Sequence, residues 1–305
     1  MPNTDAAHSS PHDAAPEQQG FTASSEKLFS NILCAVDGTA ASIAGVKVAA
    51  SLAGADGHLT LLAVTAVTED GHHAAAISPT RAERFLERAK RIADDAGVPA
   101  TTIVDPDGPP VEVILARAHD HDLLTLGAPA ISWLGGMIIG GVSSSFGGLL
   151  VGGVTAPVLS RLSTPMLVVR DTDAGSLRGH RILVASDGAE GSDRLVELAG
   201  RLGQSQGAQV TIVNALVGES NMNPRAIQAQ AHALELMLPD SEKPRIEPGK
   251  PWDVILDAAK STGAALIVIG SRRLSGIRAL GSVSRRAVHD APCSVLVVPP
   301  ETPES

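Results

Sequence analysis

Three groups of residues in this sequence have types and spacing that could do chemistry. The first is a pair of Asp-Gly dipeptides, Asp37-Gly38 and Asp187-Gly188, each closing a short β-branched run. Read as acids, the two carboxyls are candidates for proton transfer. Read as turn formers, Asp bonds its own backbone and Gly supplies the tight bend, which explains the dipeptide without catalysis. The second is "GGMIIGGVSSSFGGLLVGGV", Gly135–Val154, with eight glycines, nine apolar residues, three serines and no charge. The uncharged run around it, Leu123–Ser160, is long enough to cross a bilayer. It reads as a membrane segment, a phosphate-cradling loop or a surface made for another protein.

The third group is the histidines and cysteines. "AHDHD" (Ala118–Asp122) sets His119 and His121 among carboxylates, and "GHH" supplies His72 and His73. A metal site needs three or four convergent ligands, and a solvated turn is the better reading, so no metal is expected. Cys34 lies inside a strand pattern and should be buried and inert. Cys293 precedes the last strand, where a redox role has little to support it. Trp133 and Trp252 read as packing residues. There is no G-x-S-x-G and no nucleophile–base–orienter set, so the chain is not expected to be an enzyme.

The elements that must position these groups follow from the bulk pattern and from repetition. The chain has 305 residues, 44% of them hydrophobic and 19% charged, with no Tyr, two Trp and four Phe, so its core is built from Ala, Val, Leu and Ile. A net charge of −9 argues against nucleic acid and against anionic lipid as partners. Two cysteines in separate halves make no disulfide framework, and a cytoplasmic setting is expected. Residues 1–28 and 301–305 read as tails, the first disordered by composition.

The rest is written twice. "ILCAVDGT" (Ile32–Thr39) recurs as "ILVASDGA" (Ile182–Ala189), and "GPPVEVILARA" (Gly108–Ala118) as "GKPWDVILDAA" (Gly249–Ala259). "LLTLGAP" (Leu123–Pro129) recurs as "LIVIGSR" (Leu266–Arg272), and "TPMLVVR" (Thr164–Arg170) as "CSVLVVP" (Cys293–Pro299). Two homologous domains are predicted, 29–170 and 180–300, joined by a linker at 171–179. In the first, strands are predicted at Asn31–Val36, His58–Val64, Thr101–Val104, Leu123–Leu126 and Met166–Val169. Helices are predicted over Ala40–Ala53, from an N-cap at Ser78 with Pro79 inside to a stop at Gly97, and over Val111–Ala118. Apolar strands alternating with amphipathic helices give an α/β fold: two tandem five-stranded parallel doubly wound domains. Ligands in such sheets bind at the carboxyl ends of the strands, by the switch point. Both Asp-Gly turns fall there, with Gly127 and Gly270 at the ends of the fourth strands.

On these residues the sequence resembles the universal stress protein family in its tandem-domain form. The resemblance implies a Rossmann-like, adenine nucleotide alpha hydrolase-like fold, with the domains packed through their last strands and chains associating into a homodimer or higher oligomer. Nucleotide-binding members carry Gly-x2-Gly-x9-Gly-(Ser/Thr) after the fourth strand, where small residues let backbone N–H groups reach phosphate at a helix N-terminus. The second domain keeps Gly270, Gly281 and Ser282, but Arg273 stands at the second glycine and the loop is two residues shorter. Its implied adenine-nucleotide site, for ATP or a relative, is Asp187, Gly188, Gly270, Arg273, Gly281 and Ser282. The first domain keeps Asp37, Gly38 and Gly127, has Ala130 at the second glycine, and reaches its closing pair only at Gly152-Gly153. "MIIGGV" is followed twelve residues later by "LLVGGV", so the loop at 131–151 is an expanded, duplicated phosphate loop.

Eight glycines make a poor membrane helix, at roughly 0.8–1.0 kcal/mol each relative to Ala. Exposed together, Met137, Ile138, Ile139, Val142, Phe146, Leu149, Leu150 and Val151 would form a large apolar patch of the kind that marks interaction sites. The reading favoured is a non-catalytic, stress-associated adaptor whose loop docks on a protein partner, one that could itself be membrane-embedded, or mediates self-assembly. The alternative is an adenine-nucleotide-binding signalling protein using the second domain, with at most slow hydrolysis.

Overall fold

A computed structural model describes residues 28–65, 77–128, 154–161, 163–170, 176–217, 224–271 and 282–300. The first half runs β1 (Asn31–Ala35), α1 (Ala40–Ala53), β2 (His58–Val64), α2 (Pro79–Asp95), β3 (Ala100–Asp105), α3 (Pro110–Ala118), β4 (Leu123–Ala128), α4 (Thr155–Arg161) and β5 (Met166–Arg170). The second runs β6 (Arg181–Ala185), a 3-10 turn at Glu190–Ser192, α5 (Asp193–Gln206), β7 (Gln209–Leu216), α6 (Pro224–Met237) and β8 (Arg245–Pro248). It closes with α7 (Pro251–Thr262), β9 (Leu266–Gly270), α8 (Ser282–Asp290) and β10 (Ser294–Val298).

The strands form one sheet in the order β3-β2-β1-β4-β5-β10-β9-β6-β7-β8. Within each half every pairing is parallel and the order is the same: third, second, first, fourth, fifth. The halves meet through β5 and β10, antiparallel, with Val168 opposite Val295 and Leu167 opposite Leu296. That junction makes the halves related by a pseudo-twofold. It also places the strand-end clefts of the two domains at opposite ends of the molecule.

Alternation along each strand feeds two apolar layers. Ile32 and Cys34 of β1 face the layer of α1, α2, α5 and α6, while Leu33 faces that of α3, α4, α7 and α8. Both layers run across the junction, so the domains share core rather than merely touching. Full burial of a Leu or Ile is worth about 1.5–3 kcal/mol, and Ile32, Leu33, Leu59, Leu61, Leu123 and Leu124 are all fully buried. Helix α1, rich in Ala and with Gly45 and Ser42 on its buried side, has almost no exposed face beyond Ala40 and Lys47. Its small residues let it lie close to the sheet: a Cβ on Gly127 would sit 2.2 Å from the Ser42 nitrogen. Thr39 caps its start, accepting from Ser42 N at 3.2 Å. Pro79 opens α2 and Gly97 follows its last turn, but the Ser78 side chain makes no capping hydrogen bond.

Side chains also cross between the halves. Ser51 Oγ on α1 donates to Gln206 Oε1 on α5 at 2.9 Å. The entry to β1 is pinned by Asp122, which accepts from Ser30 N, Ser30 Oγ and Asn31 N at 2.8–2.9 Å. No helix among the described residues is long and apolar enough to cross a membrane.

Candidate functional site

Each strand-end cleft begins with its Asp-Gly turn. In domain 2 the chain leaves β6 through Ser186, Asp187 and Gly188, and Gly188 takes φ +72°, which excludes a side chain at low cost. Asp187 Oδ1 accepts from Ala189 N at 3.0 Å and from Ser192 Oγ at 2.8 Å, folding the chain into the 3-10 turn that leads to α5. Domain 1 repeats the device: Asp37 Oδ1 accepts from Thr39 N at 2.9 Å and from Thr39 Oγ1 at 2.7 Å, and Gly38 has φ +83°. In both domains one carboxylate oxygen is committed to shaping the turn.

Beyond the turns the clefts differ. In domain 2, Ser186 Oγ accepts from Gly188 N at 3.0 Å and donates to Gln230 Oε1 at 2.6 Å, and Gln230 Nε2 donates to Asp193 Oδ1 at 2.6 Å. Asn214 Nδ2 donates to the Ser186 carbonyl at 2.8 Å. Ser186, Asn214 and Gln230 are all buried, so the inner wall of this cleft is an ordered polar relay. Buried polar groups persist only when hydrogen-bonded in this way. Gln230 and Asp193 also line a groove of about 1030 Å³ between α5, α6 and Leu28–Ser30, so the relay borders open space.

The same three positions in domain 1 are apolar. Val36 precedes Asp37 as Ser186 precedes Asp187, and Ala63 follows Leu62 as Asn214 follows Val213 in the matched strand registers. Phe85 stands six residues into α2, as Gln230 stands six residues into α6. The Phe85 ring lies against the turn so closely that a Cβ on Gly38 would meet its atoms at 2.3–2.4 Å. The Arg81 guanidinium lies over the same ring, 5.3 Å from its centroid. Domain 1's cleft is therefore roofed by a phenyl ring where domain 2 presents an amide.

Glycines close the far side of each cleft. Gly127, on β4, is pressed on α1 as described. Gly270, at the end of β9, faces Leu195 of α5, and its carbonyl accepts from Ser284 Oγ of α8 at 2.8 Å. Ser282 opens α8. The structure thus brings Asp187, Gly188, Gly270 and the start of α8 to one end of domain 2, and Asp37, Gly38 and Gly127 to one end of domain 1. Arg273, Gly281, Gly152 and the loop residues Met137, Ile138, Ile139, Val142, Phe146, Leu149, Leu150 and Val151 lie outside the described residues.

A sequence model described as "Universal stress protein family" matches twice, at residues 28–170 and 179–299. The chain belongs to the universal stress protein family. Among curated universal stress proteins, one from Thermus aquaticus is 33% identical over 132 residues, spanning 38% of this chain and 96% of its own. The protein YxiE of Bacillus subtilis is 27% identical over 146 residues, spanning 39% of this chain and 98% of its own. Each covers a single domain's length. A solved universal stress protein from Archaeoglobus fulgidus superposes with TM-score 0.70 at 21% identity, covering 90% of this chain and 99% of that one, which shows the shared two-domain fold.

Cys34, Cys293, His121 and Trp252 have packing roles, while His72, His73 and Trp133 lie outside the described residues. Burial pushes the Cys34 thiol up to about 12, against a smaller opposing effect of the Thr125 hydroxyl, so no thiolate forms near neutral pH. Cys293 is buried too. The His121 ring contacts the Arg117 carbonyl at 2.7 Å and Thr60 Oγ1 at 2.9 Å, tying the turn before β4 to β2. Trp252 is buried in α7. Sequence reasoning missed Gln230, Asn214, Phe85 and Asp193. The one signal available was the exchange of Val36 for Ser186 immediately before the Asp-Gly pair. It would have flagged a polar wall, though not its partners.

Proposed function

We propose that this universal stress protein is a non-catalytic regulator whose second domain binds an adenine nucleotide. Asp187 and Gly188 shape the base and sugar side, while Gly270, Arg273, Gly281 and Ser282 take the phosphates at the start of α8. The observation that supports a division between the domains is the divergence of the two clefts. Phe85 and its apolar neighbours fill the turn in domain 1, whereas Ser186, Asn214 and Gln230 line it in domain 2. A positively polarised helix start suits phosphate, and Arg273 adds a guanidinium where the family motif has its second glycine.

Equilibrium dialysis of the purified full chain with radiolabelled ATP tests this. One ATP per chain is expected, with Asp187→Ala weakening binding by about tenfold through loss of the hydrogen bonds that set the turn. Asp37→Ala should leave affinity unchanged. No binding by the wild-type chain, or equal losses from both variants, would overturn the assignment.

A second role belongs to domain 1. Its chain runs from Ala128 to Thr155 between β4 and α4, whereas domain 2 needs only Gly270 to Ser282 between β9 and α8. The added length carries the uncharged, glycine-paired stretch, and the reading it supports is docking on another protein. Affinity purification from native cells should then yield a stoichiometric partner that disappears when Met137–Val151 is deleted. Matching partner profiles would remove this role.

A further inference from the structure

Arg170 is the last residue of β5 in domain 1, and it is fully buried. Its side chain leaves its own domain. Nη2 donates to the carbonyl of Val288 and, at 3.2 Å, to that of His289, both in the last turn of α8 in domain 2. Its backbone N–H donates to Ser294 Oγ on β10 at 3.2 Å. Carbonyls in a helix's last turn have no intrahelical donors and carry the negative end of its dipole, so a guanidinium there both satisfies and electrostatically complements them. Arg remains charged at any working pH and offers its donors in a fixed fork, which sets the direction of the helix as well as its stability.

Helix α8 has a second anchor at its other end, Ser284 Oγ on the Gly270 carbonyl. It begins at Ser282, immediately after the segment carrying Arg273 and Gly281. Domain 1 therefore holds the carboxyl end of the very helix whose amino end faces domain 2's strand-end cleft. The arrangement is not reciprocated. The position matching Arg170 in the repeat is Pro299, which has neither a side-chain donor nor an N–H. The last residue of α4, Arg161, turns instead to Glu112 of its own domain.

Building on the nucleotide reading above, we propose that Arg170 is a positioning residue for the phosphate groups of a nucleotide in domain 2. It fixes the direction and axial position of α8 from across the domain junction. The base and sugar, on the Asp187 side, do not depend on it. Domain 1, with its own cleft filled, thus contributes to ligand binding in its neighbour.

The test compares ATP with adenosine, which lacks phosphate, on the full chain by isothermal titration. Arg170→Met should weaken ATP by about tenfold, on the scale of a partly buried cation at a helix terminus, and leave adenosine unchanged. Arg170→Lys should recover part of the loss and keeps the test available if the Met variant does not fold. Hydrogen exchange should show protection lost selectively over 282–290. Unchanged ATP affinity, or equal losses of ATP and adenosine, would overturn the proposal while leaving the nucleotide reading intact. A wild-type chain that binds neither ligand would overturn both.

Discussion

Asp122 shows how one residue can couple structure to pH. Burial alone would raise its carboxyl, but hydrogen bonds from Ser30 and Asn31 and the neighbouring His121 outweigh that and hold it below the ordinary carboxylate range. The folded state therefore prefers the ionised form more than the unfolded chain does. Its contribution is complete above the unfolded carboxylate pKa near 4 and is lost as pH falls through the folded value. Asp122→Asn should cost about 1 kcal/mol at pH 7, modest because the site is exposed to solvent. The gap in urea midpoint from wild type should narrow steadily as pH falls below about 4; a gap that stays undiminished down to the acid limit of folding contradicts the ionic account. Gln230 gives the complementary case, a single residue on which the nucleotide site proposed for domain 2 depends. Gln230→Phe copies the domain 1 arrangement, putting a ring over Gly188 and removing the acceptor of the Ser186 hydroxyl proton. Dialysis with ATP should show binding reduced to background, and retained affinity would mean that the phenyl roof is not what closes domain 1.

At the scale of elements, the close approach of α1 to the sheet is the feature most open to test. A methyl on Gly127 would sit 2.2 Å from Ser42 N and 2.5 Å from the Ala41 carbonyl carbon, backbone atoms that cannot swing aside. Gly127→Ala should cost about 2–3 kcal/mol, the upper part of the range of about 1–3 kcal/mol usual for overpacking, because the clash is with backbone. Gly191→Ala, where a Cβ meets nothing within 4 Å, should be nearly neutral. Equal urea midpoints for the two variants would refute the packing argument. Element identity was legible in the sequence because strands buried on both faces leave continuous apolar runs, and Pro79 and Gly97 punctuate α2 as their backbone limits require. The Asp-Gly turns and strand-end glycines were legible for the same reason, since their conformations admit few residue types. Gln230 and Phe85 were not. They are single positions on helices whose other residues follow the ordinary apolar stripe, and only the fold shows that the stripe ends beside a turn. Arg170 was hidden in another way, since a charge after a strand reads as a solvated end until the second domain is placed over it.

The whole molecule is held by the β5–β10 seam, and its chemistry suggests how the two halves behave apart. Met166, Leu167, Val168 and Val169 are buried on β5, as are Val295, Leu296, Val297 and Val298 on β10. Cutting the chain in the linker between Arg170 and Ser176 would leave each half with an uncovered edge strand of high β-propensity, and β10, SVLVV, carries no charge. Such an edge is a template for pairing with another copy. The cut would also expose one side of both apolar layers, and in domain 2 it would remove Arg170 from the end of α8. Fragments 28–170 and 176–300, expressed separately, should elute as dimers or larger species in size exclusion with light scattering, each pairing through its own free edge. Mixed together they should recombine as one-to-one heterodimers, because the Arg170 fork and the Ser51–Gln206 contact form only between unlike halves. Stable monomers of either fragment, with thermal midpoints equal to that of the intact chain, would show that the seam contributes little. Recombination would mean that the antiparallel junction alone carries enough information to assemble the molecule, leaving the linker only to raise the local concentration of one half around the other.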